Sequence, residues 1–161
     1  MKKDKSALRI EKEEILKSSQ NNFLETINYL PELIGSEKQV KWANDIRNNF
    51  VEKARKNINM HIYSYPRMRY HALEFYVLSH ILLKETKAEY YINNRMALQK
   101  PIIATDFADD YILMHLNEYD PDNFRNTILD LIKNGISYKE IIKKLDRKNP
   151  FQTEVPFCLR A

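Results

Sequence analysis

The chain is poor in glycine and cysteine and has no long apolar run. Its 161 residues include two glycines, Gly35 and Gly135, and one cysteine, Cys158. Two distant glycines cannot build a G-x-G-x-x-G turn or a Walker A loop, so glycine-rich phosphate cradles are excluded. They also leave an all-β sandwich short of turn residues. A lone cysteine forms no internal disulfide, which agrees with a reducing cytoplasm, the expected location. No apolar stretch approaches the roughly 18 residues of a membrane span, so no membrane partner is expected. The start, Met1-Lys2-Lys3-Asp4-Lys5, lacks the apolar segment of a signal peptide. Catalytic signatures are also missing. There is no G-x-S-x-G, the histidines His61, His71, His80 and His115 have no ligand spacing, and Cys158 has no evident base. The expectation is a protein without catalytic residues, metal or cofactor, and not an enzyme.

Helical punctuation is abundant. Ser36…Gln39, Thr86…Glu89 and Ser137…Glu140 each read S/T-x-x-E/Q. In such a box the hydroxyl takes a free backbone N–H and the third residue on reaches back to the cap. Thr105-Asp106 and Asp120-Pro121-Asp122 are further start signals. Gly35 precedes a cap, and Gly135 ends a helix where a left-handed residue is needed. The spacing predicts helices near 5–29, 37–58, 66–84, 87–97, 106–117, 122–134 and 138–147. Met60–Tyr65 and Pro101–Ala104 are candidate short strands. The predicted fold is all-α: a compact multi-helix bundle with a central apolar helix at 66–84 and a C-terminal helical hairpin. It divides into an N-terminal helix (1–30), a helical core (31–100) and an acidic helix with the hairpin (101–161), read together as one domain.

Two charges fall inside apolar stripes. Arg47 lies among Val40, Ala43, Ile46, Phe50, Val51, Ala54 and Ile58, with Trp42 at the edge of that stripe. Glu74 lies among Tyr70, Val77, Leu78 and Ile81. An unpaired buried charge is costly, so Arg47 and Glu74 are expected to pair, with Arg95 the reserve partner for Glu74.

Charge is blocked along the chain. Residues 36–71 hold eight Lys/Arg against three acids, 101–130 hold one Arg against seven acids, and 131–148 hold six Lys/Arg against two acids. A basic face is the first footprint of nucleic-acid binding, here Lys38, Lys41, Lys53, Arg55, Lys56, Arg67 and Arg69. Around Met60–His71, tyrosines interleave with Arg67 and Arg69, a composition suited to unpaired bases and phosphates. The acidic block admits a different use. Asp109, Asp110, Asp120 and Asp122, read as exposed, would imitate phosphates toward a basic partner. Asp106, Asp109 and Asp110 stand at i, i+3 and i+4, which suits either a hard cation or an ordinary acidic first turn. Near the end, Ile128–Leu145 reads as a helix, a Gly-Ile-Ser turn and a capped basic helix. It resembles the first two helices of helix-turn-helix domains, but Pro150 and Pro156 leave no space for a recognition helix.

Gly35-Ser-Glu-Lys-Gln-Val-Lys-Trp-Ala-Asn-Asp-Ile-Arg47, followed by Tyr90-Tyr-Ile-Asn-Asn-Arg95, resembles a pattern in small, mostly uncharacterised prokaryotic proteins that accompany phages and other mobile elements. There a G-S-x-K-Q cap opens a W-A-x-x-I-R helix, and a later short helix reads W-[WY]-I-x-x-R. The resemblance covers residues 31–97 and implies kinship rather than an activity. The expected function is a non-enzymatic nucleic-acid-binding accessory protein of a phage or mobile element, with DNA or RNA as partner. The alternative is a phage inhibitor of a host defence nuclease or another basic host protein, acting through the acidic segment.

Overall fold

In a computed structural model, residues 5–58, 68–99, 105–115 and 124–147 are described. They form eight helices: α1 (Lys5–Asn28), α2 (Glu37–Ile58), α3 (Met68–Lys84), α4 (Ala88–Asn93), α5 (Arg95–Gln99), α6 (Thr105–His115), α7 (Phe124–Lys133) and α8 (Tyr138–Arg147). The all-α expectation holds. Met60–Tyr65 and Pro101–Ala104, the two candidate strands, lie outside the described residues.

The 3.6-residue period explains the packing. On α1 the buried residues Leu16, Ser19, Phe23, Thr26 and Ile27 recur every three or four positions and form one stripe. Ser19 and Thr26 satisfy their hydroxyls within the helix, donating to the carbonyls of Leu16 at 2.7 Å and Asn22 at 2.8 Å. This stripe lies along α3, where Phe23 meets Phe75 at 6.0 Å between ring centroids. α3 is the central helix, buried from Met68 to Leu82 on nearly every side. It also packs on α6, α7 and α8. Each fully buried Leu, Ile, Val or Phe contributes roughly 1.5–3 kcal/mol, so this one helix carries much of the driving force. Phe50 of α2 reaches Phe107 of α6 at 5.6 Å, and Tyr76 of α3 reaches Tyr138 of α8 at 5.4 Å.

Of the three capping boxes, the Ser36 box forms in both directions and the Ser137 box makes its hydroxyl arm. Gln39 N–H donates to Ser36 Oγ at 3.2 Å, and Ser36 N–H donates to Gln39 Oε1 at 3.1 Å. At α8, Glu140 N–H donates to Ser137 Oγ at 3.2 Å. The Thr86 box does not form. Lys87 is the cap residue of α4 and makes no side-chain cap bond. Thr86 instead gives its carbonyl to Ile34 N–H at 2.8 Å, and Ala88 N–H donates to the Ile34 carbonyl at 2.8 Å. These bonds make an isolated parallel bridge between Ile34 and Lys87. The bridge takes the extended segment that a Thr86 cap would have needed.

The single helix expected over 87–97 is two. The Asn94 side-chain amide donates to the Tyr90 carbonyl at 2.7 Å, alongside its own backbone N–H at 3.1 Å. An asparagine that bonds locally to the backbone offers the chain an exit from the helix, and α4 stops there. The hairpin between α7 and α8 turns at Gly135, whose φ is +90°. Gly135 N–H donates to Ile132 and Ile136 N–H to Leu131, the two bonds of a Schellman motif.

Candidate nucleic-acid interface

The segment 87–99 runs beside 34–53 in the same direction. Four contacts join the two segments. Ile34 bridges Lys87. Arg47 lies 5.8 Å from the centroid of the Tyr91 ring. The Arg95 guanidinium lies 5.5 Å from the Trp42 centroid. Lys53 Nζ donates to the Gln99 carbonyl at 2.9 Å. The G-S-x-K-Q…W-A-x-x-I-R and Y-Y-I-x-x-R segments are therefore the two halves of one packing unit. Gly35 is required by that packing, because a Cβ there would approach the Ala88 Cβ to 3.1 Å and Gln39 Oε1 to 3.1 Å.

Beneath the unit is a buried polar seam. Arg47 is 5% exposed. It donates to the Pro31 carbonyl at 2.7 Å and to Asn44 Oδ1 at 3.2 Å, which ties the 29–36 connection to α2. The expected Arg47–Glu74 pair is replaced by local partners. Glu74, 2% exposed, has its Oε1 at 2.6 Å from His71 Nδ1, one turn back on α3. Arg95, the reserve partner, donates to the Ile92 carbonyl at 2.8 Å and stacks on Trp42. The reason is directional. α2 turns Arg47 toward α4, its main neighbour, while α3 lies chiefly against α1 and α6. Tyr90 and Tyr91 lie on the same seam with their rings edge to face at 5.3 Å. Burial, and secondarily the Glu85 charge, pushes the Tyr90 hydroxyl well above its ordinary range. Burial also raises Tyr91, partly opposed by the Arg47 charge. Arg47 Nε, both tyrosine hydroxyls and Asn94 Oδ1 are buried with no hydrogen-bond partner among the described residues.

The basic residues separate by position. Lys38, Lys41, Lys53, Arg55 and Lys56 are all exposed on α2. At about 100° per residue, Lys38, Lys41 and Lys56 fall within about 60° of one another, spread over about 27 Å of helix. No ion pair engages these three among the described residues. Asp45 and Glu52 share their sector, and Glu52 faces Arg55 at 3.7 Å. Lys53 is committed to the end of α5. Arg69 is not part of this face. It lies on α3 at 3.9 Å from Glu11 of α1, and its carbonyl accepts from the Tyr138 hydroxyl at 3.1 Å. Arg67 lies outside the described residues.

Asp109 does not belong to the expected exposed patch. Asp109 is 6% exposed and accepts a hydrogen bond from the Tyr70 hydroxyl at 2.7 Å. It shares a stripe of α6 with buried Thr105, Ala108 and Ile112, so its helical phase points inward. Asp110 is half-buried. Asp120 and Asp122 lie outside the described residues. No group of three His, Cys, Asp or Glu is placed to hold a metal ion among the described residues. No described helix is long and apolar enough to cross a membrane. An open groove of about 490 Å³, lined by Glu14, Lys17, Ser18, Glu25 and Tyr76 among others, mixes charges of both signs.

Sequence reasoning missed Trp42 and Arg95 as a surface pair. Trp42 is 48% exposed. Its place at the edge of the apolar stripe was the available signal; Arg95, 53 positions downstream, could not be joined to it without the fold. No protein-family model, curated protein or solved structure matches the chain.

Proposed function

We propose that this is a non-enzymatic nucleic-acid-binding accessory protein of a phage or mobile element, acting in the cytoplasm. The observation that carries the reading is the face of α2, where Lys38, Lys41 and Lys56 are exposed and free of ion pairs among the described residues. An exposed ammonium with no ion pair to break is free to meet a phosphate, and counterions are released on binding. Arg55 and Lys53 flank the face and add to its field while serving their own contacts. The resemblance of the 35–47 and 90–95 segments to mobile-element proteins supports the biological setting. The phosphate-imitating inhibitor loses one of its four named carboxylates, because Asp109 is spent inside the core on Tyr70.

Fluorescence anisotropy with labelled DNA and RNA oligonucleotides at low salt tests the reading. Binding should weaken at least about tenfold when Lys38, Lys41 and Lys56 are changed together to Glu, with the melting temperature little altered. Absence of binding to every oligonucleotide at low salt refutes it.

A further inference from the structure

The Trp42–Arg95 pair adds a second element to that face. Trp42 is the single tryptophan of the chain, and about half of its surface is open to solvent. It stands on an otherwise polar helix face, beside the lysines of α2. Arg95 is held in place beside it by the bond to the Ile92 carbonyl and lies 5.5 Å from its ring centroid. The ring is thus braced by a cation rather than packed into the core. Lys38 stands one helical turn before Trp42, and Lys41 directly precedes it. Residues one turn apart on a helix have Cβ atoms about 5–6 Å apart, within the reach of a lysine stem. A flat ring with the Lys38 ammonium within reach is an arrangement that takes a nucleobase and a flanking phosphate together.

We infer that Trp42, braced by Arg95, is a stacking platform for one unpaired nucleobase, and that the α2 face consequently prefers single-stranded nucleic acid to duplex. The inference rests on the nucleic-acid reading above. A paired base has both faces covered by its neighbours in the duplex and cannot lie on Trp42. A single strand offers its bases freely. Arg95 contributes charge to the phosphate beside the stacked base and keeps the indole from rotating.

Because Trp42 is the sole tryptophan, its emission reports this position alone. Titration of the full chain with a 12-nucleotide single strand should quench the emission. A 12-base-pair duplex should bind more weakly and quench little. Trp42→Ala should reduce single-strand affinity about five- to hundred-fold, as expected for one base–aromatic stack. It should leave duplex affinity and the helical circular dichroism unchanged. Trp42→Phe should recover part of the loss, and Arg95→Gln should lower the quench without abolishing binding. Unquenched emission at saturation, or equal single-strand affinity in wild type and Trp42→Ala, overturns the platform while leaving the basic face intact. Failure of wild-type protein to bind any oligonucleotide overturns both.

Discussion

Tyr70 donates its hydroxyl proton to Oδ1 of Asp109 across 2.7 Å and so joins the central helix α3 to α6 inside the core. Both side chains are nearly inaccessible, at 1% and 6% exposure. Removing the donor takes a charge-assisted hydrogen bond from a buried carboxylate, so Tyr70→Phe should cost about 1.5–3 kcal/mol. Asp109→Asn keeps an acceptor and removes the charge, and should cost less. Urea unfolding of both variants beside Lys41→Gln, a surface change expected to stay within about 0.5 kcal/mol, checks this. A Tyr70→Phe loss no larger than that of Lys41→Gln would contradict the burial of Asp109.

The next expectation concerns Arg47 and Glu74, which the fold assigns to different partners. Arg47→Met loses the bonds to Pro31 and Asn44, and Glu74→Gln removes the charge from the His71 contact. With these separate partners, the two losses should add within about 0.5 kcal/mol in a double-mutant cycle. A larger coupling would restore the direct pair. Arg47→Lys should recover little, since an ammonium cannot make both of the guanidinium's divergent bonds.

These two cases show how far the sequence is legible. Helix positions can be read because capping and the 3.6-residue period are local. Ser36–Gln39, Gly135 and the all-round apolar character of α3 need only neighbours within a turn. The burial of Arg47 and Glu74 can also be read from helical phase. Their partners cannot. His71 stands at i−3 from Glu74, but on charge alone an arginine is the stronger match for a buried carboxylate. The Pro31 carbonyl is a backbone group, which sequence patterns do not display. Asp109 has a visible phase with Thr105, Ala108 and Ile112, yet three aspartates near a helix start suggest a solvated first turn. The Trp42–Arg95 contact depends on the break at Asn94 and on the parallel run of 87–99 beside α2, neither of which leaves a periodic trace.

The two glycines should respond differently to alanine. At Gly135 nothing lies within 4 Å of where an alanine methyl would sit, and the φ of +90° alone opposes a side chain. Gly135→Ala should cost about 1 kcal/mol, a backbone strain. At Gly35, whose φ of +159° also opposes a side chain, Gln39 Oε1 and the Ala88 methyl each lie 3.1 Å from where the new methyl would sit. Shortening that neighbour with Ala88→Gly should therefore restore part of the stability lost in Gly35→Ala, whereas no neighbouring change rescues Gly135→Ala. Thermal unfolding of these variants distinguishes steric from conformational cost.

Alkaline pH should loosen the fold through its tyrosines. Tyr138 is pushed up to about 12, first by burial, with the Arg69 charge opposing and Tyr76 adding to the rise. Between the ordinary tyrosine value near 10 and 12, the folded state therefore holds a proton that the unfolded chain releases. Stability is full below about pH 10 and falls as pH rises through the folded value; Tyr90 and Tyr91, raised by burial, act in the same direction. Tyr138→Phe should lose about 1 kcal/mol at about pH 8, the bond to the Arg69 carbonyl. It should show a shallower decline between about pH 10 and 12. Denaturant midpoints across that range give both quantities, and an unchanged slope would exclude Tyr138 as a contributor.

The salt dependence of nucleic-acid binding tests the central claim most directly. For single strands the slope of log affinity against log salt is about −0.7 per phosphate neutralised. If Lys38, Lys41 and Lys56 each hold a phosphate, replacing all three with Gln should make the slope shallower by about 2. A slope identical in wild type and triple variant, or no measurable complex at low salt, would contradict the assignment of the α2 face to nucleic acid.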